Sequence, residues 1–167
     1  LAVCFERGSG TKKDMQKALS LYLEAAEAGC ARAKCNFGMC FEEGNGVEKD
    51  EHLAFQLYEE AAEAGSEYAM KNLAFCYKDG IGVKTNHQKA FELFQKAIDT
   101  TPHLENSLFE LGLYYHNGQG TTQDTKKAHE FMQRAIEEGS TEAMVTRADW
   151  LKTEGDMTGA YALYKKA

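Results

Sequence analysis

Long apolar runs are missing from this 167-residue sequence. Its apolar residues come in short periodic groups, and none approaches the roughly 20 consecutive residues that a membrane-spanning helix needs; a soluble protein without membrane insertion is expected. An excess of basic residues is missing too. With 19 Lys and Arg against 26 Asp and Glu, the formal charge is -7. That balance argues against a nucleic-acid partner, because affinity for a phosphate backbone comes mostly from clustered Lys and Arg. There is no Asn-x-Ser/Thr sequon, and the five cysteines are an odd number with no repeated pairing. Both absences favour a reducing compartment, so a cytoplasmic location is expected. The sequence also opens at Leu1 without Met or a signal-like region and stops at Lys165-Lys166-Ala167 partway through a pattern. It reads as a fragment of a longer protein, from which a targeting segment could be missing.

What the sequence does have is a period. Gly8-Ser-Gly10 with Asp14, Gly44-Asn-Gly46 with Asp50, Gly80-Ile-Gly82 with Asn86, and Gly118-Gln-Gly120 with Asp124 repeat one plan. Two glycines stand one residue apart, and an Asp or Asn follows six residues after the first. The leading glycines are 36, 36 and 38 residues apart, a spacing that marks a repeat array.

Two helices per repeat follow from apolar spacing. In the third repeat Ala69, Leu73, Cys76 and Tyr77 form one stripe, because side chains four and seven residues apart share a helix face. The glycine turn ends that helix. Asn86 is then placed to cap the next, whose buried stripe is Ala90, Phe91, Phe94, Ala97 and Ile98. Ala18, Ala54, Ala90 and Ala128 hold one column, where a small side chain lets paired helices approach closely. Tyr22, Tyr58, Phe94 and Met132 fill the next, and Ala25, Ala61, Ala97 and Ala135 a third. Asp14, Asp50, Asn86, Asp124 and Asp156 are expected to cap the second helices, and Gly29, Gly65 and Gly139 to close them. An isolated hairpin of this kind leaves half of each apolar face open, so stability must come from stacking. Cys4, Cys40 and Cys76 share a column as well. Stacked helices lie about 8–10 Å apart and a disulfide needs Cα atoms within about 7 Å, so these three are expected to be free buried thiols. Cys30 and Cys35 fall outside that column.

Ala64-Gly-Ser-Glu-Tyr-Ala-Met-Lys-Asn-Leu-Ala-Phe-Cys-Tyr-Lys-Asp-Gly-Ile-Gly-Val83, followed by Asn86-x-x-Lys-Ala90, resembles the Sel1-like repeat, a relative of the tetratricopeptide repeat with a longer turn between its helices. The resemblance implies an all-α fold, a right-handed α/α superhelix or solenoid of helical hairpins. It divides residues 1–167 into a partial unit at 1–30, full units at 31–66, 67–102 and 103–140, and a partial unit at 141–167. The last unit departs from the plan. Leu151 to Ala160 spans 9 residues where Tyr77 to Ala90 spans 13, which is the tetratricopeptide interval. Pro102, the one proline, also resembles a tetratricopeptide terminus.

Catalytic, cofactor and metal sites are not expected. His52, His87, His103, His116 and His129 share no column, and none stands in His-Glu-x-x-His. Cys30, Cys35 and Cys40 lie five apart on one helix, so successive sulfurs point about 140° apart. The glycine pairs lack the preceding strand and third glycine of a dinucleotide fingerprint. Ser9 and Lys12 match the Ser-x-x-Lys of penicillin-recognising enzymes, and cysteine-rich relatives of the resembled family are linked to β-lactam binding; their regular cysteine pairs are absent here.

The remaining candidate is surface. In tetratricopeptide-like arrays the first helices line a concave groove, and the resemblance places Val3, Met39, Phe75 and Leu113 along it, with Asp149 breaking the column. Arg7, Arg32, Glu42, Glu43, Tyr68, Lys71 and Lys78 would flank the seam in the first half of the sequence. Asn106, Phe109, His116, Asn117 and Lys152 would flank it in the second. Apolar anchors amid mixed charge suit an extended peptide or partner helix, although the same four residues could simply pack first helices together. Asn36 and Asn72 match the column from which relatives grip a terminal carboxylate, but Glu110 and Thr146 interrupt it, so these asparagines are expected to satisfy backbone groups of the adjoining repeat. A non-enzymatic interaction scaffold or adaptor for a protein or peptide is the expected function. The alternative is a regulatory or substrate-docking segment of a larger enzyme such as a kinase.

Overall fold

A computed structural model describes residues 1–167, all of them in helices or in the turns between helices. The first compact unit, Leu1–Asn86, holds α1 (Ala2–Arg7), α2 (Met15–Glu27), α3 (Ala31–Glu43), α4 (Glu51–Glu63) and α5 (Glu67–Asp79). The second, His87–Ala167, holds α6 (His87–Thr100), α7 (Glu105–Asn117), α8 (Thr125–Glu137), α9 (Thr141–Glu154) and α10 (Met157–Lys166). In each unit, helices adjacent in sequence pack as antiparallel hairpins.

Side-chain caps set the helix starts. The carboxylates of Asp14, Asp50 and Asp124 accept from the backbone N–H of Lys17, Leu53 and Lys127 at 3.0, 2.9 and 3.0 Å, and Asp156 accepts from Gly159 at 2.9 Å. Each such bond is worth about 1 kcal/mol over alanine, since it satisfies a donor the helix cannot. Two further caps lie outside the sequence pattern. Ser66 and Ser140 accept from Ala69 and Ala143 at 3.3 and 3.2 Å, starting α5 and α9. The matching position before α3 is Cys30, whose side chain makes no cap bond.

The two glycines of each turn have different work. The first takes the left-handed conformation that closes the helix, as at Gly80, where φ is 81° and the N–H bonds back to Cys76 O at 2.8 Å. The second allows close approach to the preceding repeat. A Cβ on Gly82 would lie 2.1 Å from the carbonyl oxygen of Glu51, and one on Gly120 would lie 2.4 Å from that of His87. The turn is thus seated on the first turn of the previous second helix.

Large and small side chains alternate across each hairpin. Ala18, Ala54, Ala90 and Ala128 are fully buried, as are Tyr58, Phe94 and Met132 beside them. Tyr58 lies over Gly38 of α3, where a Cβ would come within 2.9 Å of its ring, and Met132 lies over Gly112 of α7 at 3.0 Å. Between repeats, aromatic edges do the packing. Phe55 meets Tyr77 at 5.5 Å and 89°, Phe91 meets Tyr115 at 5.4 Å and 87°, and His129 meets Trp150 at 5.6 Å and 86°.

All five cysteines are free thiols. Cys40 and Cys76 are buried as their column requires, but Cys4, on the short helix α1, is only half-buried. Cys35, outside the column, is buried between α3 and α5. Burial pushes the thiols of Cys35 and Cys40 up to about 11 and that of Cys76 up to about 12, since a thiolate there would lose its hydration. Phe91 and Ala25, expected in the buried stripes, are half-buried at the edges of their helices.

Candidate partner-binding surface

In the first unit the surface is built by α3 and α5, which pack together. Met39 projects from α3 with 39% of its surface exposed. On α5, Tyr68 is exposed beneath the Arg32 guanidinium at 5.6 Å, and half-buried Phe75 carries the Lys78 ammonium at 4.9 Å from its ring centroid. Such cation–π pairs hold cations over an apolar face at modest desolvation cost. Lys71 is half-buried between these residues in sequence, Glu43 is exposed at the end of α3, and Arg7 is exposed at the end of α1 beside half-buried Val3. A depression of about 260 Å³ opens where Ala31 and Arg32 approach Ser66, Glu67 and Tyr68.

Glu42 has a different position. Its Oε2 accepts the Tyr58 hydroxyl at 2.5 Å, and Glu6 accepts that of Tyr22 at 2.6 Å. Burial, reinforced by the facing carboxylate, holds both phenols well above the ordinary tyrosine range. These carboxylates are therefore committed to their own hairpins, which the exposed-looking column in the sequence did not signal. Asn72 donates to Cys35 Sγ at 3.5 Å, and Asn36 bonds the Tyr22 side chain. Both asparagines serve side chains of the preceding repeat rather than its backbone.

In the second unit, Phe109 of α7 faces Thr141, Glu142, Val145 and Thr146 of α9 across an open groove of about 510 Å³. Val145 is exposed there and holds the same column as Phe109 and Lys71, a position that its spacing from Phe109 could have supplied. Leu113 is half-buried one turn along α7, while Asn106, Asn117 and Lys152 are exposed. His116 lies flat on Trp150, with centroids 3.9 Å apart and planes at 5°, and the ring of His129 meets the same indole edge-on. His129 Nε2 is 3.0 Å from Glu154 Oε1. His116 is thus part of a three-ring stack, and Asp149 accepts the hydroxyl of Tyr164. No three His, Cys, Asp or Glu side chains converge as a metal site would require, and Ser9 and Lys12 are exposed in the first turn. No helix is long and apolar enough to cross a membrane.

The Sel1 repeat family model matches residues 1–30, 31–66, 67–99 and 106–140. Among solved structures, the chain is similar to a Sel1 repeat protein from Oxalobacter formigenes, with 25% identity and a TM-score of 0.86, covering 98% of this chain and 68% of that one. It is also similar to c5321, a protective antigen with an SLR fold from uropathogenic Escherichia coli, with 28% identity and a TM-score of 0.84, covering 93% of this chain and 32% of that one. Similarity to cysteine rich protein B of Helicobacter pylori is looser, at 25% identity and a TM-score of 0.58 over 81% of this chain and 96% of that one. No curated protein sequence matches significantly. The matched segments take in most of the sequence, so the chain belongs to the Sel1 repeat family.

Proposed function

We propose that the chain is a non-enzymatic scaffold that holds an extended peptide or a partner helix along its first helices. Sel1 repeat proteins are generally protein-interaction scaffolds. The observation that carries the finer reading is the exposed side of α3 and α5. Met39 and Tyr68 leave apolar surface in solvent on helices whose opposite faces are buried. Large apolar side chains flanked by Arg32, Lys71 and Lys78 offer the anchor-and-rim arrangement by which grooves hold peptides. In the second unit Phe109, Leu113 and Val145 extend the same choice of residues beside Asn117. Glu42 and His116 contribute through the packing of their own repeats, and Glu43 supplies an acidic edge.

The test begins with affinity purification of the intact protein and identification of what it retains. Binding of that partner is then measured against the double variant Met39→Glu with Phe75→Glu. Capture should fall at least tenfold, while helicity and melting temperature stay close to those of the unaltered protein. Undiminished binding would remove the groove from the account.

A further inference from the structure

The charges of the first unit are unevenly shared between its helices. The second helices α2 and α4 carry six glutamates against Lys17 as their one cation, which repeats the acidic balance of the whole sequence. The first helices α3 and α5 carry four cations and four carboxylates. Several of these eight are already engaged. Lys34 is bound to Glu60 of α4 at 2.7 Å, and Lys78 stands 4.0 Å from Asp79. Glu42 accepts the Tyr58 hydroxyl at 2.5 Å and is turned into its own hairpin. Glu43 and Asp79 stand at the C-terminal ends of their helices. Arg32 and Lys71 differ from the other cations, because neither forms an ion pair with a carboxylate, although Glu67 lies four residues before Lys71 on the same helix.

The fold also brings these two cations to one place. The Arg32 guanidinium lies over the exposed ring of Tyr68, 5.6 Å from its centroid, and Tyr68 and Lys71 are three residues apart, neighbours on the surface of α5. The Lys71 ammonium counters part of the rise that burial causes in the Cys35 thiol of α3, which puts it on the side of α5 that meets α3. A guanidinium resting on a ring keeps its N–H edge available to a planar carboxylate. The ring holds it in place before a ligand arrives, so less side-chain freedom is lost on binding. Beside Arg32 the depression of about 260 Å³ runs between the starts of α3 and α5. Met39 follows Arg32 about two turns along α3, and Phe75 follows Lys71 about one turn along α5.

We infer that the partner of this surface is an acidic peptide segment, whose Asp or Glu side chains are received by Arg32 and Lys71 while a neighbouring apolar side chain lies on Met39 and Phe75. This rests on the peptide-binding proposal and adds the charge of the ligand to it. Charge complementarity selects the occupant. The two cations without a carboxylate stand together at one end of the apolar patch, and a basic segment would lay like charge against them. Because the contacts face solvent, they act more on selection of the partner and on its approach than on the strength of the hold.

The test presents the 167-residue chain with a random peptide library displayed on phage and fused through its C-terminus, so that only side chains can offer a carboxylate. Selected peptides should be enriched in Asp and Glu beside large apolar residues. Replacing the Asp and Glu of a selected peptide by Asn and Gln should weaken binding to the unaltered chain by about tenfold or more, and should hardly change binding to the variant Arg32→Gln with Lys71→Gln. Lys34→Gln removes a cation already tied to Glu60 and should bind as the unaltered chain does. Raising the salt from about 0.1 M to about 1 M should weaken the acidic peptide and leave its neutral version nearly unchanged. Neutral or basic binders that are lost in Met39→Gln with Phe75→Gln would overturn the acidic ligand and keep the groove. Acidic binders weakened equally by Lys34→Gln would overturn the assignment to Arg32 and Lys71. A library that yields no binder, or binders indifferent to both double variants, would overturn the groove as well.

Discussion

Gly82 approaches Glu51 so closely that a methyl group on it would lie 2.1 Å from the Glu51 carbonyl oxygen, inside any tolerable contact. The seating of this repeat on its predecessor is fixed there by backbone against backbone, with no flexible side chain to yield.

Gly82→Ala and Gly65→Ala therefore separate conformation from packing. Both glycines have positive φ, 65° and 89°, but nothing lies within 4 Å of a Cβ on Gly65. Gly65→Ala should cost about 1–2 kcal/mol for the left-handed backbone alone. Gly82→Ala should cost that and about 1–3 kcal/mol more, because α4 must shift to make room. Urea unfolding midpoints compare the two, and equal losses would show that the turn can slide freely on α4.

Cys30 precedes α3 where serine precedes α5 and α9, and its side chain leaves the helix uncapped. Cys30→Ser should stabilise the first unit by about 1 kcal/mol, the usual worth of a hydroxyl that accepts from the third N–H of a helix. A higher melting temperature with unchanged native helicity is the expected result; no gain would mean that the hydroxyl stays with solvent instead of the Ala33 N–H, since the Cys30 backbone already lies close to that of Ser66.

Alkaline pH should weaken the fold by ionising groups that are buried in it. In the unfolded chain the thiols of Cys35, Cys40 and Cys76 ionise from the ordinary value of 9.0, whereas burial holds them protonated in the native state to about 11, 11 and 12. The native state then binds more protons than the unfolded one, so stability is full below pH 9.0 and falls as pH rises toward the native values. The raised phenols of Tyr22 and Tyr58 act in the same direction. Urea midpoints at about pH 8 and about pH 10.5 measure the fall, and a flat profile would contradict the burial of these thiols.

Much of the fold was legible from spacing because stacking makes each repeat meet the same neighbour. The alanine columns and the aspartate caps recur for that reason, and the structure bears out the caps and buries every alanine of those columns but Ala25. Residues whose partner lies sideways carry no such signature. Cys35 receiving Asn72 and His116 lying flat on Trp150 each occur once, where two particular side chains face one another, whereas Glu42 with Tyr58 repeats Glu6 with Tyr22 one period on, a recurrence that could have revealed both. Gly38 and Gly112 were hidden for a different reason: they lie within helices and answer to the size of Tyr58 and Met132, not to a turn. The candidate surface was legible only as a column; its exposure at Met39 and Val145 depends on how far each helix is sunk among its neighbours.

The indole of Trp150 is the chain's single tryptophan, and it lies in the second unit, clasped between two imidazoles. Its emission consequently reports on residues His87–Ala167 alone, whereas circular dichroism averages over every helix. A sequence of otherwise uniform repeats thus carries its own built-in optical label for one half, and loosening of that half can be followed without introducing a dye or a substitution.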